Sequence, residues 1–357
     1  MIRVLHCVAG VGRGGYETLI MNVYRKIDRT KIQFDFLYSF DGVYTDEIKQ
    51  LGGKLYKIPF ITEKGPFTYR KNVLNFFKSH PEYKIVHSHM DKFSGEIMEC
   101  ARKRGVPVRI AHSHNTKNEG GFLYQVVKNY YGRKILPNCT HKFACSEDAG
   151  KWLFGGDMSD VDIVKNGIDI AKFAVADNRD RDFFTVVNVA RFTKMKNHTF
   201  LIDIFKELYD MDNSSRLLLA GTGDLQEQIR KKVSDYGLAD AVTFFNDCND
   251  VPSLLSKADV FCMPSLFEGL GIVLVEAQAV GLPCVASDTI PKETNITGNI
   301  KFVSLDKTPV EWAKILLQCK GKSRADNHKK IVDAGYDIST TTEFLQNFYL
   351  NEIGENQ

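Results

Sequence analysis

A chain of 357 residues is longer than one ordinary core, so two domains are expected. Hydrophobic residues at 43% and charged residues at 25% are globular proportions and exclude disordered and fibrous classes. Net charge is +3, but residues 1–165 carry 26 Lys and Arg against 17 Asp and Glu, a basic half suited to lipid headgroups or phosphates.

No apolar run nears the roughly 18 residues that span a bilayer, and "MIRVLHCV" reads as a strand, not a secretory signal, so a cytoplasmic protein is expected. The eight cysteines include no C-x-x-C pair, which speaks against a disulfide framework or a zinc ribbon.

Strand-like runs over 2–8, 32–40, 83–89, 107–114, 141–147 and 161–169 alternate with helical or turn segments, beginning with a helix at Glu17–Lys26. That rhythm predicts an α/β fold with a parallel, doubly wound sheet. A polar stretch over 169–182 reads as a linker, and the rhythm restarts with strands at 183–190, 215–221, 242–246, 258–265, 283–287 and 300–304. Two Rossmann-like domains, 1–170 and 171–338, are therefore expected to face each other across a ligand-binding cleft. The spacing Thr340-x-x-Glu343 has capping-box form and predicts a last amphipathic helix over 339–357, packed back on the first domain.

The first loop, "VAGVGRGGYE", spells Gly10-x-Gly12-x-x-Gly15. A Gly-rich turn opening a helix exposes N–H groups to an anion, either a dinucleotide or another phosphate. A dinucleotide site also wants an acid closing the second strand; Asp35 lies inside that strand and Asp41 beyond it.

A second turn of this kind follows the run "ADVFCM". Glu268 precedes Gly269-Leu270-Gly271, and the helix that opens there carries Glu276 and ends at Gly281. Two carboxylates so placed bracket a sugar nucleotide.

His87-Ser88-His89 and His112-Ser113-His114 each put two imidazoles on one strand face. Metal binding is the sharp alternative for them, but no acid-rich partner motif accompanies these residues, and no metal is expected. The segment 121–136 sets Phe122, Val126 and Tyr130 at helical spacing, with Lys128, Arg133 and Lys134 nearby. It reads as an interfacial helix or as a core-facing one.

"PSLFEGLGIVLVEAQAVGLPCVAS", with its E-x7-E spacing, resembles the signature of the retaining, nucleotide-sugar-dependent glycosyltransferases of family 4, which have the GT-B fold. "VNVARFTKMKNH", "LLLAGTGDLQEQI", "VKNGID" and "GRGGYE" resemble further motifs of that family in the expected order, from about residue 10 to 290. "RIAHSHNT" and "FACSEDAGKWLFG" look like bacterial exopolysaccharide and capsule glycosyltransferases.

The resemblance implies that Gly14 and Gly15 meet the donor's phosphates and sugar, without NAD. It implies that Arg191 and Lys196 grip the diphosphate in place of a metal ion. Gly269, Leu270 and Gly271 form the phosphate-facing turn, Glu276 takes the ribose hydroxyls, and Glu268 lies near the transferred sugar. His114, with His112 second, is the implied catalytic histidine. The donor is expected to be a nucleotide-diphosphate sugar, UDP-sugar foremost, and the acceptor a saccharide, lipid-linked in capsule or exopolysaccharide assembly. Peripheral contact with an anionic inner membrane face is expected; a nucleic-acid partner or a cofactor is not. A nucleotide-sugar epimerase and a non-catalytic sugar-nucleotide binder are the alternatives.

Overall fold

The computed structural model describes residues 1–116, 121–246, 248 and 250–354. The chain divides into two compact units, one formed by residues 1–168 and 335–354, the other by 169–334. Both are Rossmann-like.

In the first unit seven strands are all parallel: β1 (Ile2–Cys7), β2 (Ile32–Tyr38), β3 (Leu55–Lys57), β4 (Ile85–Ser88), β5 (Val108–Ser113), β6 (His141–Ala144) and β7 (Val161–Ile163). Their order is β3-β2-β1-β4-β5-β6-β7. Every residue of β2 is buried, as helices on both sheet faces require. β3 is three residues long and does not stand out in the sequence pattern.

Asp35, the acid weighed for a dinucleotide, is fully buried in β2. It pairs with Arg3 on β1 and accepts from Tyr83 Oη (2.6 Å) and the Lys54 amide (2.6 Å), so its oxygens are engaged within the fold.

The second unit holds β8 (Phe184–Val189), β9 (Ser215–Ala220), β10 (Val242–Phe245), β11 (Val260–Met263), β12 (Cys284–Ser287) and β13 (Ile300–Val303), parallel throughout, in the order β10-β9-β8-β11-β12-β13. Its core gathers Phe184, Phe205, Leu217, Val260 and Trp312, all at most 1% exposed.

Each sheet reverses its winding once, between β1 and β4 in the first and between β8 and β11 in the second. Loops leaving the carboxyl ends of such neighbouring strands diverge and leave a crevice, the place where open α/β sheets bind ligands.

The last helix, Ile338–Gly354, packs against β1 and the helix Gly15–Lys26 of the first unit. It begins two residues before Thr340, so the Thr340–Glu343 spacing lies inside the helix and does not cap it. Its start is set by the returning chain instead: Ile338 N donates to Ile168 O (2.9 Å), and Ile168 N donates to Tyr336 O (2.8 Å). A Cβ on Gly167 would come within 2.7 Å of Ile338 Cα, which explains the glycine at this crossing.

Candidate active site

At the winding reversal of the second sheet, two loops meet. After β8 the chain runs through Arg191 to a short turn at Lys194–Lys196; after β11 it runs from Pro264 to Gly271. The loops are bolted together by backbone and side chain. Leu266 N donates to Met195 O (2.8 Å), and Asn197, held in the left-handed region at φ 55°, donates from Nδ2 to Pro264 O (3.0 Å).

Glu268 is 6% exposed at this junction. Its carboxylate accepts two hydrogen bonds from Lys196 Nζ, at 2.7 and 2.5 Å, and one from Ser265 Oγ at 2.7 Å. A buried carboxylate is costly unless so paired. Two N–H groups of the ammonium are spent on Glu268, which leaves the third for another anion.

On the opposite side, Ser265 O accepts from Ser287 Oγ (2.6 Å) and Thr289 Oγ1 (2.9 Å), while Leu270 O accepts from Thr294 Oγ1 (2.8 Å). Gln278, fully buried, ties the segment Thr294–Thr297 to the helix Ile272–Ala279 through its Nε2 and Oε1. Gly271 enters that helix at φ 73°, a conformation that favours glycine.

Glu276 lies one turn into the helix, half-buried, with no side-chain hydrogen bond or ion pair among the described residues. Desolvation with no compensating charge pushes its carboxyl up to about 7.

Arg191 is exposed and likewise unengaged among the described residues. Its backbone is clamped to the turn after β9: Ala190 N donates to Ala220 O (2.9 Å) and Phe192 N to Thr222 O (2.9 Å). A Cβ on Gly221 would sit 2.1 Å from Ala190 O and one on Gly223 2.5 Å from Phe192 O, so the two glycines permit this approach. Of the expected residues, Lys196, Glu268, Gly269, Leu270 and Gly271 therefore share two loops that touch. Arg191 stands on the first of these loops, and Glu276 on the helix that the second one opens.

Gly14, Gly15, His112 and His114 belong to the first unit: the glycines follow β1 at its winding reversal, whereas His112 lies in β5 and His114 just past it, one strand beyond β4. The Glu17 carboxylate folds back to where a Cβ of Gly14 would stand, 2.1 Å from that point, while the space beside Gly15 is open. The Tyr16 ring stacks on His114 and His89, with centroids 5.4 and 6.1 Å apart, and so joins the glycine loop to the end of β5.

Behind it lie five imidazoles: His6, His87, His89, His112 and His114. His87 and His112 are fully buried and bonded to each other (Nε2 to Nδ1, 3.1 Å); His87 Nδ1 also meets Tyr349 Oη at 2.7 Å. His114 is partly exposed. Burial lowers all five; His6 and His114 fall to about 3, so the cluster is neutral at ordinary pH.

Asn197, Ser265, Gln278 and Ser287 lie inside the quoted motifs with no role read from them, and Thr289 and Thr294 lie outside those motifs. Ser265 Oγ reaches Glu268 three residues on, while the others act through contacts between separate segments, which only the order of the loops hints at.

Two Rossmann-like units, each built on an all-parallel sheet that reverses its winding once, are the architecture of the GT-B class. A family model described as "Glycosyl transferases group 1" matches residues 169–327. The chain is 38% identical over 97% of its length to "Putative glycosyltransferase EpsF" of Bacillus subtilis (strain 168), covering 96% of that protein. The chain thus belongs to the group 1 glycosyl transferases.

It is 28% identical, over 64% of its own length and 62% of the other's, to "UDP-Gal:alpha-D-GlcNAc-diphosphoundecaprenol alpha-1,3-galactosyltransferase" of Escherichia coli. Among solved structures it is similar to Anabaena Alr3699/HepE in complex with UDP and glucose, with TM-score 0.80, 17% identity and coverage of 98% and 99% of the two chains.

Proposed function

We propose that this glycosyltransferase moves a sugar, with retained anomeric configuration, from a UDP-sugar to a lipid-linked saccharide during capsule or exopolysaccharide assembly. The observation that carries the donor half is the Lys196–Glu268 pair at the winding reversal of the second sheet, with Arg191 earlier on the Lys196 loop and the unpaired carboxylate of Glu276 on the helix that follows Glu268. The UDP donor is supported by the names of the Escherichia coli relative and the HepE complex, and the lipid-linked acceptor by the former.

In this reading the diphosphate lies over Gly269-Leu270-Gly271, with Arg191 and the third N–H of Lys196 on its oxygens. As the bond from the anomeric carbon to phosphate breaks, the electron pair goes to the phosphate oxygen, and these fixed cations stabilise the growing charge. Glu276 accepts from the ribose hydroxyls. Glu268, already accepting three hydrogen bonds, is a weak nucleophile and serves as a fixed negative charge beside the developing cationic sugar. The acceptor hydroxyl then attacks from the leaving-group side and gives its proton to the departing phosphate. Gly15 and His114 of the first unit meet the sugar.

Membrane contact is assigned to the helix Phe122–Gly132 and the turn after it, where Val126, Val127, Tyr130 and Leu136 are 44–59% exposed. Lys134 does not belong to that face. It is bound to Glu96 (2.8 Å) and Glu99 (2.9 Å), and Lys128 lies over the Tyr124 ring at 5.4 Å.

Thermal-shift measurement against UDP-, GDP- and ADP-sugars tests the donor, since a ligand of the native state alone raises Tm. Transfer to an undecaprenyl-diphosphate-linked sugar, with the product anomer read by NMR, tests the rest. Inversion, or an isomerised donor without transfer, refutes the proposal.

A further inference from the structure

One peptide of the loop that bears Glu268 has its direction fixed from behind. Two carbonyls of this loop are taken by β12 and the chain leaving it: Ser265 O by Ser287 Oγ (2.6 Å) and Thr289 Oγ1 (2.9 Å), and Leu270 O by Thr294 Oγ1 (2.8 Å).

A trans peptide is planar, so its N–H points away from its C=O. The first of these peptides shows the result. With Ser265 O turned toward Ser287, Leu266 N points the other way and donates to Met195 O (2.8 Å) on the Lys196 loop. The Leu270–Gly271 peptide is held likewise, so Gly271 N–H is turned away from Thr294. Gly271 is partly exposed, and its N–H donates to no group among the described residues.

Nothing in Gly271 itself selects this direction. It stands at φ 73°, in the region that favours glycine, and glycine is equally at home after the peptide turns over, with N–H inward and Leu270 O outward. An outward carbonyl repels a phosphate, whereas an outward N–H binds it. The choice falls to Thr294.

Thr294 is fully buried, and its backbone oxygen accepts from Gln278 Nε2 (2.8 Å). The Gln278 amide is saturated: Nε2 also donates to Leu274 O (3.0 Å), and Oε1 accepts from Thr297 N (3.0 Å) and Thr297 Oγ1 (2.9 Å). The hydroxyl that holds Leu270 O is thereby tied to the helix that carries Glu276.

We propose that Thr294 is a positioning residue for the donor: its hydroxyl, backed by Gln278, turns the Leu270–Gly271 peptide so that Gly271 N–H is presented to a phosphate oxygen of the nucleotide diphosphate. Thr294 acts through that peptide and does not touch the ligand. The identity of the ligand rests on the functional reading above, whereas the direction of the peptide does not.

The sequence Leu-Gly occurs twice in the chain, at 51–52 and 270–271, so 13C-carbonyl leucine with 15N-glycine leaves two selected amide signals in the intact protein. UDP is expected to move the Gly271 proton downfield, and uridine, which lacks the phosphates, is not. Thr294→Val keeps the shape and loses the hydroxyl; it is expected to bind UDP about tenfold more weakly by calorimetry and to lose the downfield shift. Thr294→Ser keeps the hydroxyl and loses the methyl group, and is expected to retain both. A role in packing alone predicts the reverse order of the two variants.

UDP that binds without moving Gly271 overturns the inference and leaves the donor reading standing, as does a Thr294→Val protein that binds UDP like wild type. Should that variant fail to fold, the wild-type spectrum and Thr294→Ser still decide, because weakened UDP binding in the serine variant refutes the role of the hydroxyl. If the wild-type protein binds no UDP, the functional reading fails and the inference falls with it.

Discussion

Lys196 closes on Glu268 through both carboxylate oxygens, joining the loop after β8 to the loop after β11. Breaking a buried pair from one side leaves an uncompensated charge. Lys196→Met should therefore lower stability by about 1–3 kcal/mol, less than for a fully buried pair because the lysine is 21% exposed. Glu268→Gln, which keeps the Ser265 contact, should lower kcat by about a hundredfold with a smaller effect on donor affinity. Urea melts and steady-state kinetics check both.

Among the described residues the exposed Arg191 side chain makes no hydrogen bond or ion pair whose loss would unfold the loop. Arg191→Ala should leave Tm unchanged and raise the donor KM by about ten- to a hundredfold, from loss of a charge-assisted phosphate contact. Calorimetric titration with UDP reads this directly.

Glu276 gives a pH signature. Its carboxyl titrates at about 7 when folded against 4.5 in the unfolded chain, so between these values the native state binds the extra proton. Stability from this group accordingly falls as pH rises from 4.5 to about 7, and is flat above. Glu276→Gln should remove the slope and raise stability near pH 8 by about 1–2 kcal/mol, while weakening donor binding at that pH.

The imidazoles act in the opposite direction. Buried and neutral, they resist protonation in the native state, whereas unfolded histidines charge near 6.5. Stability should drop as pH falls from about 6.5 toward 3, with a slope of about 1.4 kcal/mol per pH unit for each histidine involved. His6→Phe should make that slope shallower, as denaturant midpoints measured across pH 4–7 will reveal.

The exposed row of Val126, Tyr130 and Leu136 yields a binding prediction. The protein should co-sediment with vesicles containing phosphatidylglycerol, and Val126→Asp with Tyr130→Ser should weaken this severalfold without changing Tm. Equal recovery of both forms with neutral and anionic vesicles would remove the membrane assignment.

Strand rhythm revealed the two parallel sheets because buried parallel strands are continuous apolar runs, as in Ile32–Tyr38. The three-residue β3 is too short to leave such a trace. The loop bearing Glu268 announced itself through its glycines and acids. That Lys196 would clasp Glu268 was hidden, because a charge alone does not name its partner across 72 positions. Thr340–Glu343 misled for a related reason: a capping pattern is local, and here the start of the helix is fixed by the distant Ile168. The four histidines on and just past β4 and β5 were placed on common faces by alternation, but His6, the fifth, comes from β1 and carries no repeat to mark it.

The pairing of Ile168 with Asp337 means that the chain leaves its first unit and returns to it at almost the same spot. Residues 169–334 are thus spliced into a host whose own sheet, core and final helix are complete on either side of the insertion. A few-residue bridge from 168 to 335 should leave that host foldable. One half of such an enzyme can accordingly be swapped or reshaped as a cassette while the packing of the other goes undisturbed.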